Sequence, residues 1–392
     1  TSRYATTLGV YHNVTKRHRE QYCFDTSFPT WPRALRDAGY TAVNVGKLHI
    51  VGYDCWDENL GCRQFPPPRD LSAADPPELD LVILPGIDVI VGGTYPLEDG
   101  DIESFGARRL TRLALDRLQT LREGKAPWLL RVSYIAPHTP VLAPAPFDRL
   151  YREEDFLPEP EPGPPEQPTT GYERSVAETQ KSETLSPRQV ARARATYYGL
   201  VSALDQEIGL LLEQVPDDTV VLITGDHGAM LGELGLWQKQ IFNHRVQRVP
   251  YVLRAPELEP GRRPEHADLL DSGPTLLALA GVEIPDSFRG RDLTTPPAEE
   301  KDIYGAFGYG DSGAYMYEAL RKGPDCPRRI CIRSGPYRLD LSVRKDGQIL
   351  EPPSEQDLFF CDTGADPDEF RNEAENLAYA DTVQELRARL LE

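Results

Sequence analysis

Three apolar runs, residues 41–45 (TAVNV), 128–135 (WLLRVSYI) and 219–224 (TVVLIT), each lead straight into a polar cluster, and helix-periodic stretches separate them. A run of β-branched and aliphatic residues reads as a buried strand, and apolar residues at spacings of three and four read as one helix face. Residues 31–39 read as a short helix ending on Gly39. Residues 102–122 carry Leu110, Leu113, Ala114, Leu118 and Leu121 on one face, and residues 189–214 carry Tyr197, Leu200, Val201, Leu204, Ile208 and Leu211. Residues 249–254 read as a further strand and 269–280 as a helix closed by Gly281. This alternation predicts an α/β fold, a mostly parallel sheet sandwiched by helices, where ligands gather beyond the carboxyl ends of the strands. The clusters Gly46-Lys47-Leu48-His49, Pro137-His138-Thr139-Pro140 and Gly225-Asp226-His227-Gly228 are therefore expected to converge on one site.

After about residue 296 the pattern changes to short strands at 329–332 and 337–343 and a last helix at 380–391. A chain of 392 residues suggests about two domains. The expected division is an α/β domain over 1–296 and a smaller C-terminal α+β subdomain over 297–392. Residues 154–188 are proline-rich with few large apolar side chains, and are expected to form a surface excursion.

The net charge of −19 argues against nucleic acid or an anionic membrane surface as a partner. An anion site must then be a local basic pocket. The longest apolar stretches, such as residues 79–90, are interrupted by Asp80, Pro85 and Asp88 and fall short of a membrane span. Of the six cysteines, Cys55/Cys62 and Cys326/Cys331 are close enough in sequence to pair, and free buried thiols account for them equally well. Thr1 is preceded by no recognisable start or leader, so an upstream segment is expected to be missing. Oligomeric state and compartment carry no sequence signal.

The densest chemical signal is residues 224–240, TGDHGAMLGELGLWQKQ. Asp226 and His227 at a strand end offer a hard oxygen and an imidazole nitrogen to a divalent cation, and the following glycines allow a tight turn. In isolation the triplet would equally suit a helix-capping Asp226 and an ordinary loop histidine. His12, His18, His244 and His266 match no motif, and the Tyr-rich residues 304–317 read as a packed strand edge.

Taken whole, residues 224–240 resemble the DHG or DNG, LGEHGLW and lysine of the sulfatases of the alkaline-phosphatase-like superfamily. Residues 46–49 resemble that family's GKxH, residues 136–140 its PHxP, residues 271–281 (DSGPTLLALAG) its DLxPTLLxLAG, and residues 357–377 its C-terminal LYDLxxDPxExxNL. Residues 1–12 look like the family's CxPSR…LLTGxYPH segment entered at its third position, so the cysteine oxidised to formylglycine is expected two residues upstream of Thr1. The first core strand and its paired aspartates are expected to be absent too, leaving the chain a fragment or without a working centre.

The resemblance implies hydrolysis of a small-molecule or saccharide sulfate ester, with a formylglycine nucleophile and one divalent cation, calcium or else magnesium or manganese. It implies Asp226 and His227 as metal ligands, Lys47 and Lys239 on the sulfate oxygens, and His138 as proton donor at the leaving oxygen. It further implies that His49 removes a proton from the formylglycine hydrate and that Arg3 orients the nucleophile. The family more often has Asn at this position, and His227 instead resembles the subset with DH that includes some phosphonate and phosphodiester hydrolases; that activity is one alternative, and a non-catalytic binding protein is another. Leu234 replaces the histidine of GEHG, so any contact of that histidine is absent.

Overall fold

The structure, a computed structural model, describes residues 28–48, 55–61, 80–157, 169–239, 241–296, 299–307, 328–345, 348–349 and 356–392. Arg3, His49, Cys62 and Cys326 lie outside these residues, as do residues 308–317 of the Tyr-rich segment.

Helix α1 (Trp31–Asp37) starts where Thr30 caps Arg33 N, and β1 (Thr41–Gly46) follows it. Strand β1 lies between β2 (Glu58–Gly61) and β5 (Trp128–Ser133), and both pairings are parallel. Helix α2 (Gly106–Glu123) covers one face of this sheet, with Leu110, Ala114 and Leu121 packed on Val43 and Val45. Burying each such leucine contributes roughly 2 kcal/mol. On the opposite face Ala42 packs with Trp56, Leu129 and Trp31. Helix α2 is shorter than the periodicity predicts: Asp101 caps a separate 3-10 turn, Ile102–Ser104, and Phe105 is extended and buried against Val141 and Leu200.

Strands β3 (Val82–Leu84) and β4 (Val89–Gly92) form a hairpin against the long helix α4 (Pro187–Leu212), which a Ser186–Gln189 capping box begins. Between them in sequence, α3 (Gly171–Gln180) departs from the expected surface excursion. Its Tyr172 and Val176 are buried in one cluster with Met230, Leu234 and Leu236. Composition averaged over residues 154–188 hides these two anchors behind the prolines.

Strand β6 (Val221–Thr224) pairs antiparallel with β9 (Tyr251–Arg254), and between them lie the hairpin β7 (Met230–Leu231)–β8 (Trp237–Gln238) and the turn α5 (His244–Gln247). A continuous apolar run predicts full burial for β6, yet its residues are intermediate to exposed and Val252 opposite is 56% exposed. Among the described residues β6 has β9 as its sole strand neighbour, which accounts for the difference. Helix α6 (Ser272–Leu279) then packs on α1 through Leu277, Leu35 and Phe288.

Strands β10 (Ile303–Phe307), β11 (Arg328–Ser334), β12 (Tyr337–Lys345) and β13 (Gln348–Ile349) form an antiparallel sheet, β14 (Phe359–Asp362) joins β12, and helix α7 (Ala380–Leu391) covers it with Leu386. Cys331 and Cys361 are buried free thiols there, and burial pushes both up to about 12. No helix among the described residues is long and apolar enough to cross a membrane.

A buried ionic cluster joins this sheet to the turn after β8. Glu369 accepts from Arg338 Nη1 at 2.9 Å, Arg333 Nη2 at 2.8 Å and the His244 backbone N at 2.9 Å. Burial alone would raise the Glu369 carboxyl, but the two guanidinium groups hold it at about 2. A depressed carboxylate adds stability above its unfolded value and loses it as pH falls. The window runs from the ordinary 4.5 down to about 2, and corresponds to about 3 kcal/mol at neutral pH. Glu369→Gln should therefore lower urea stability at pH 7 and flatten its decline between pH 5 and pH 2; equal slopes for variant and parent would contradict this assignment.

Candidate anion and metal site at the strand ends

The three motif clusters meet. Gly46 ends β1 with φ +98°, and a Cβ there would lie 2.2 Å from the Ser133 carbonyl, so only glycine lets the chain turn past β5 into Lys47. The Lys47 N–H donates to Ser133 O at 3.0 Å. Arg131, a charge inside the apolar run of β5, donates to Lys47 O at 3.0 Å and to the buried Asn44 Oδ1 at 2.6 Å. Asn44 and Arg131 face each other in the sheet register, and this polar brace beneath Lys47 went unread in the sequence. Its signal was a charged residue in the middle of a strand.

His138 follows β5 and His227 follows β6. The His138 Nδ1 is 2.8 Å from Thr139 O, and the His227 Nδ1 is 2.9 Å from Gly228 O. A carbonyl only accepts, so each ring carries its proton on Nδ1 and turns the Nε2 lone pair outward. Both lone pairs point at Lys239, whose Nζ donates to His138 Nε2 at 2.9 Å and to His227 Nε2 at 2.8 Å. A Cβ at Gly228 would meet Arg245 O at 2.0 Å, so glycine is required for this loop to lie against α5.

Burial and the neighbouring lysines hold His138 and His227 below their ordinary range, so both rings are neutral at pH 7. Burial, followed by repulsion from Lys47, also lowers the Lys239 ammonium, with Asp226 opposing. For Asp226 desolvation works against ionisation, but His227, Lys47 and Lys239 outweigh it and keep the carboxylate below its usual value. The result is a local positive pocket on an acidic protein. It borders a cleft whose wall includes Val91, Tyr197, Met230 and Trp237.

Asp226 Oδ1 lies 3.6 Å from His227 Nε2, with Asp226 75% exposed. One carboxylate oxygen and one imidazole lone pair at that separation can share a divalent cation, and the Nδ1–H bond to Gly228 O is the kind of support a ligating histidine uses. The lone pair a metal would take is the one Lys239 holds here, so ion and ammonium compete for it. Among the described residues no group of three or more metal-ligating side chains assembles. Leu234, at the position of the family histidine, has φ +53° and is buried against α3 in the cluster of Tyr172 and Val176. His244 and His266 sit beside Glu369 and Glu300, away from this cluster.

Removing the Lys239 charge while keeping its aliphatic stem isolates these couplings. In Lys239→Met, NMR titration of the imidazole protons should show the midpoints of His138 and His227 both move upward; unmoved midpoints would separate Lys239 from the two rings.

Comparison with known proteins gives a consistent pattern. A family model described as Sulfatase matches residues 1–282. A choline-sulfatase of Rhizobium meliloti (strain 1021) is 30% identical over 284 residues, covering 67% of this chain and 54% of the relative. A multifunctional alkaline phosphatase superfamily protein, PehA, of Trinickia caryophylli is 27% identical over 403 residues, covering 90% of this chain and 70% of that protein. The match thus spans about half the length of the choline-sulfatase. Among solved structures, a phosphonate monoester hydrolase from Silicibacter pomeroyi superposes with a TM-score of 0.76 at 21% identity, covering 100% of this chain and 83% of the other.

Proposed function

Because the chain belongs to the sulfatase family, with an alkaline-phosphatase-like fold, we propose that it hydrolyses a sulfate ester to an alcohol and inorganic sulfate at the Lys239 cluster. The observation that carries this reading is the Lys239 ammonium held between two neutral imidazoles, with Lys47 close enough to act on all of them. Transfer of a sulfuryl group needs fixed positive charge at its oxygens and a proton at the departing oxygen.

Lys239 and Lys47 would hold the nonbridging oxygens. His138 keeps its Nδ1 proton on Thr139 O, so its Nε2 is the atom that would carry a proton, taken up from solvent, to the leaving oxygen while Lys239 keeps its charge. Asp226 and His227 would hold the divalent cation, which would polarise the sulfuryl oxygens and the nucleophile. Calcium is the ion proposed from the resemblance, and the imidazole donor of His227 also admits manganese. The nucleophile proposed is a formylglycine two residues upstream of Thr1, with Arg3 and His49 serving it; both residues lie outside those described.

The substrate proposed is a small-molecule or saccharide sulfate ester, in keeping with relatives named as choline-sulfatase and N-acetylglucosamine-6-O-sulfatase. A phosphonate monoester hydrolase is the competing activity on this fold, and the ratio of kcat/KM for an aryl sulfate to that for an aryl phosphonate decides between them. The sulfate should be preferred, with turnover lost in excess EDTA; a preference of several orders for phosphonate would overturn the reading. Lys239→Ala should lower kcat by roughly 10²–10³-fold while changing unfolding stability by less than about 1 kcal/mol. Equal kcat for variant and parent would refute the role of Lys239.

A further inference from the structure

Lys239 does not hold its own position. It follows a segment whose backbone is unusual: Leu234 has φ +53° between glycines at +98° (Gly232) and +69° (Gly235), and Gln238 has φ +70°. Non-glycine residues persist in the left-handed region where their surroundings over-determine them. For Gln238 the surroundings are set one residue earlier. Gln180, 1% exposed at the last turn of α3, donates from Nε2 to Trp237 O at 2.9 Å and accepts at Oε1 from Trp237 N at 3.0 Å. A side-chain amide thus pairs with the Trp237 peptide groups as a neighbouring strand would. Beside it, Ser182 Oγ donates to Gly235 O, and the Gln180 carbonyl accepts from Gly86 N at 3.2 Å.

The other end of α3 is fastened as firmly. Thr170 and Glu173 form a capping box, and the Asp357 carboxylate accepts from Gly171 N at 2.7 Å and Tyr172 N at 2.9 Å. Asp357 in turn takes a bond from the buried Arg329 Nη1 at 3.0 Å. Helix α3 is therefore a strut between the C-terminal sheet and the segment that carries the lysine.

We propose that Gln180 is a positioning residue whose carboxamide clamp on Trp237 fixes where the Lys239 ammonium stands between His138 and His227. The inference rests on the catalytic reading of Lys239 for its kinetic consequence and on geometry alone for its structural one. Without the carboxamide, Trp237 N and O lose their partners, Gln238 is free to relax toward negative φ, and the peptide leading into Lys239 rotates. An ångström of displacement at a group that acts in the transition state costs on the order of 100-fold in rate.

The test compares Gln180→Ala with Val176→Ala, which removes a buried side chain from the same helix that packs in a different apolar cluster from Trp237. In the full-length protein, both variants should lose thermal stability. Only Gln180→Ala should lower kcat for an aryl sulfate, by roughly 10–100-fold, and shift the Nε2 ¹⁵N resonances of His138 and His227. Gln180→Glu keeps the acceptor for Trp237 N, is expected to be intermediate in both readouts, and carries the comparison should the alanine variant not fold. Gln180 variants with unmoved ring resonances and kcat within about twofold of Val176→Ala would overturn the proposal. If the parent turns over no sulfate ester, the catalytic reading fails on its own, and the ring resonances still decide whether Gln180 positions Lys239.

Discussion

An ammonium ion placed 2.9 Å from one imidazole nitrogen and 2.8 Å from another is a demanding object to build, because all three groups would rather be solvated or charged. The fold meets the demand by supplying each from a different place. The end of β5 brings His138, the end of β6 brings His227, and the strained turn after β8 brings Lys239. Each ring is locked by a bond from Nδ1 to a neighbouring carbonyl, so the lone pairs cannot turn away. Burial keeps both rings neutral, and Lys47, set down by the glycine turn at the end of β1, adds a second positive charge that works in the same direction and favours the ionised Asp226. A chain with a net charge of −19 thereby carries a compact positive pocket, which is what a small anionic ester requires.

Much of this was legible because strand ends in an α/β sheet announce themselves. An apolar run followed by Gly46-Lys47, Pro137-His138 or Gly225-Asp226-His227 points to both the element and the direction of its polar end, and in the structure Lys47, His138, Asp226, His227 and Lys239 act on one another in one cluster. The contribution of α3 was not legible in the same way. Tyr172 and Val176 are two apolar anchors in a stretch averaged with its prolines, and the pairing of Gln180 with Trp237 spans 57 residues. The Thr170–Glu173 capping box was the local clue that a helix begins there. Leu234 shows a second limit. As a departure from a family motif it reads as a lost contact, whereas in three dimensions it is a gained one, packed on the helix that steadies the lysine.

The C-terminal sheet carries no residue of the candidate site, yet it is tied to it twice. Glu369 gathers Arg333, Arg338 and the His244 backbone, and Asp357 joins Arg329 to the first turn of α3. Buried charges of this kind are costly unless every partner is present, so they contribute less to net stability than to a unique arrangement of the parts they join. The arrangement they specify here is the one that leaves Lys239 facing two lone pairs.

The central claim is that this ammonium–imidazole cluster is where a tetrahedral or trigonal-bipyramidal oxyanion is held. The most direct measurement is a crystal structure of the full-length protein with vanadate bound. The account predicts vanadate oxygens within hydrogen-bonding distance of Lys239 Nζ and His138 Nε2, with Lys239 released from His227. Vanadate bound elsewhere, with Lys239 still bridging the two histidines, would contradict it.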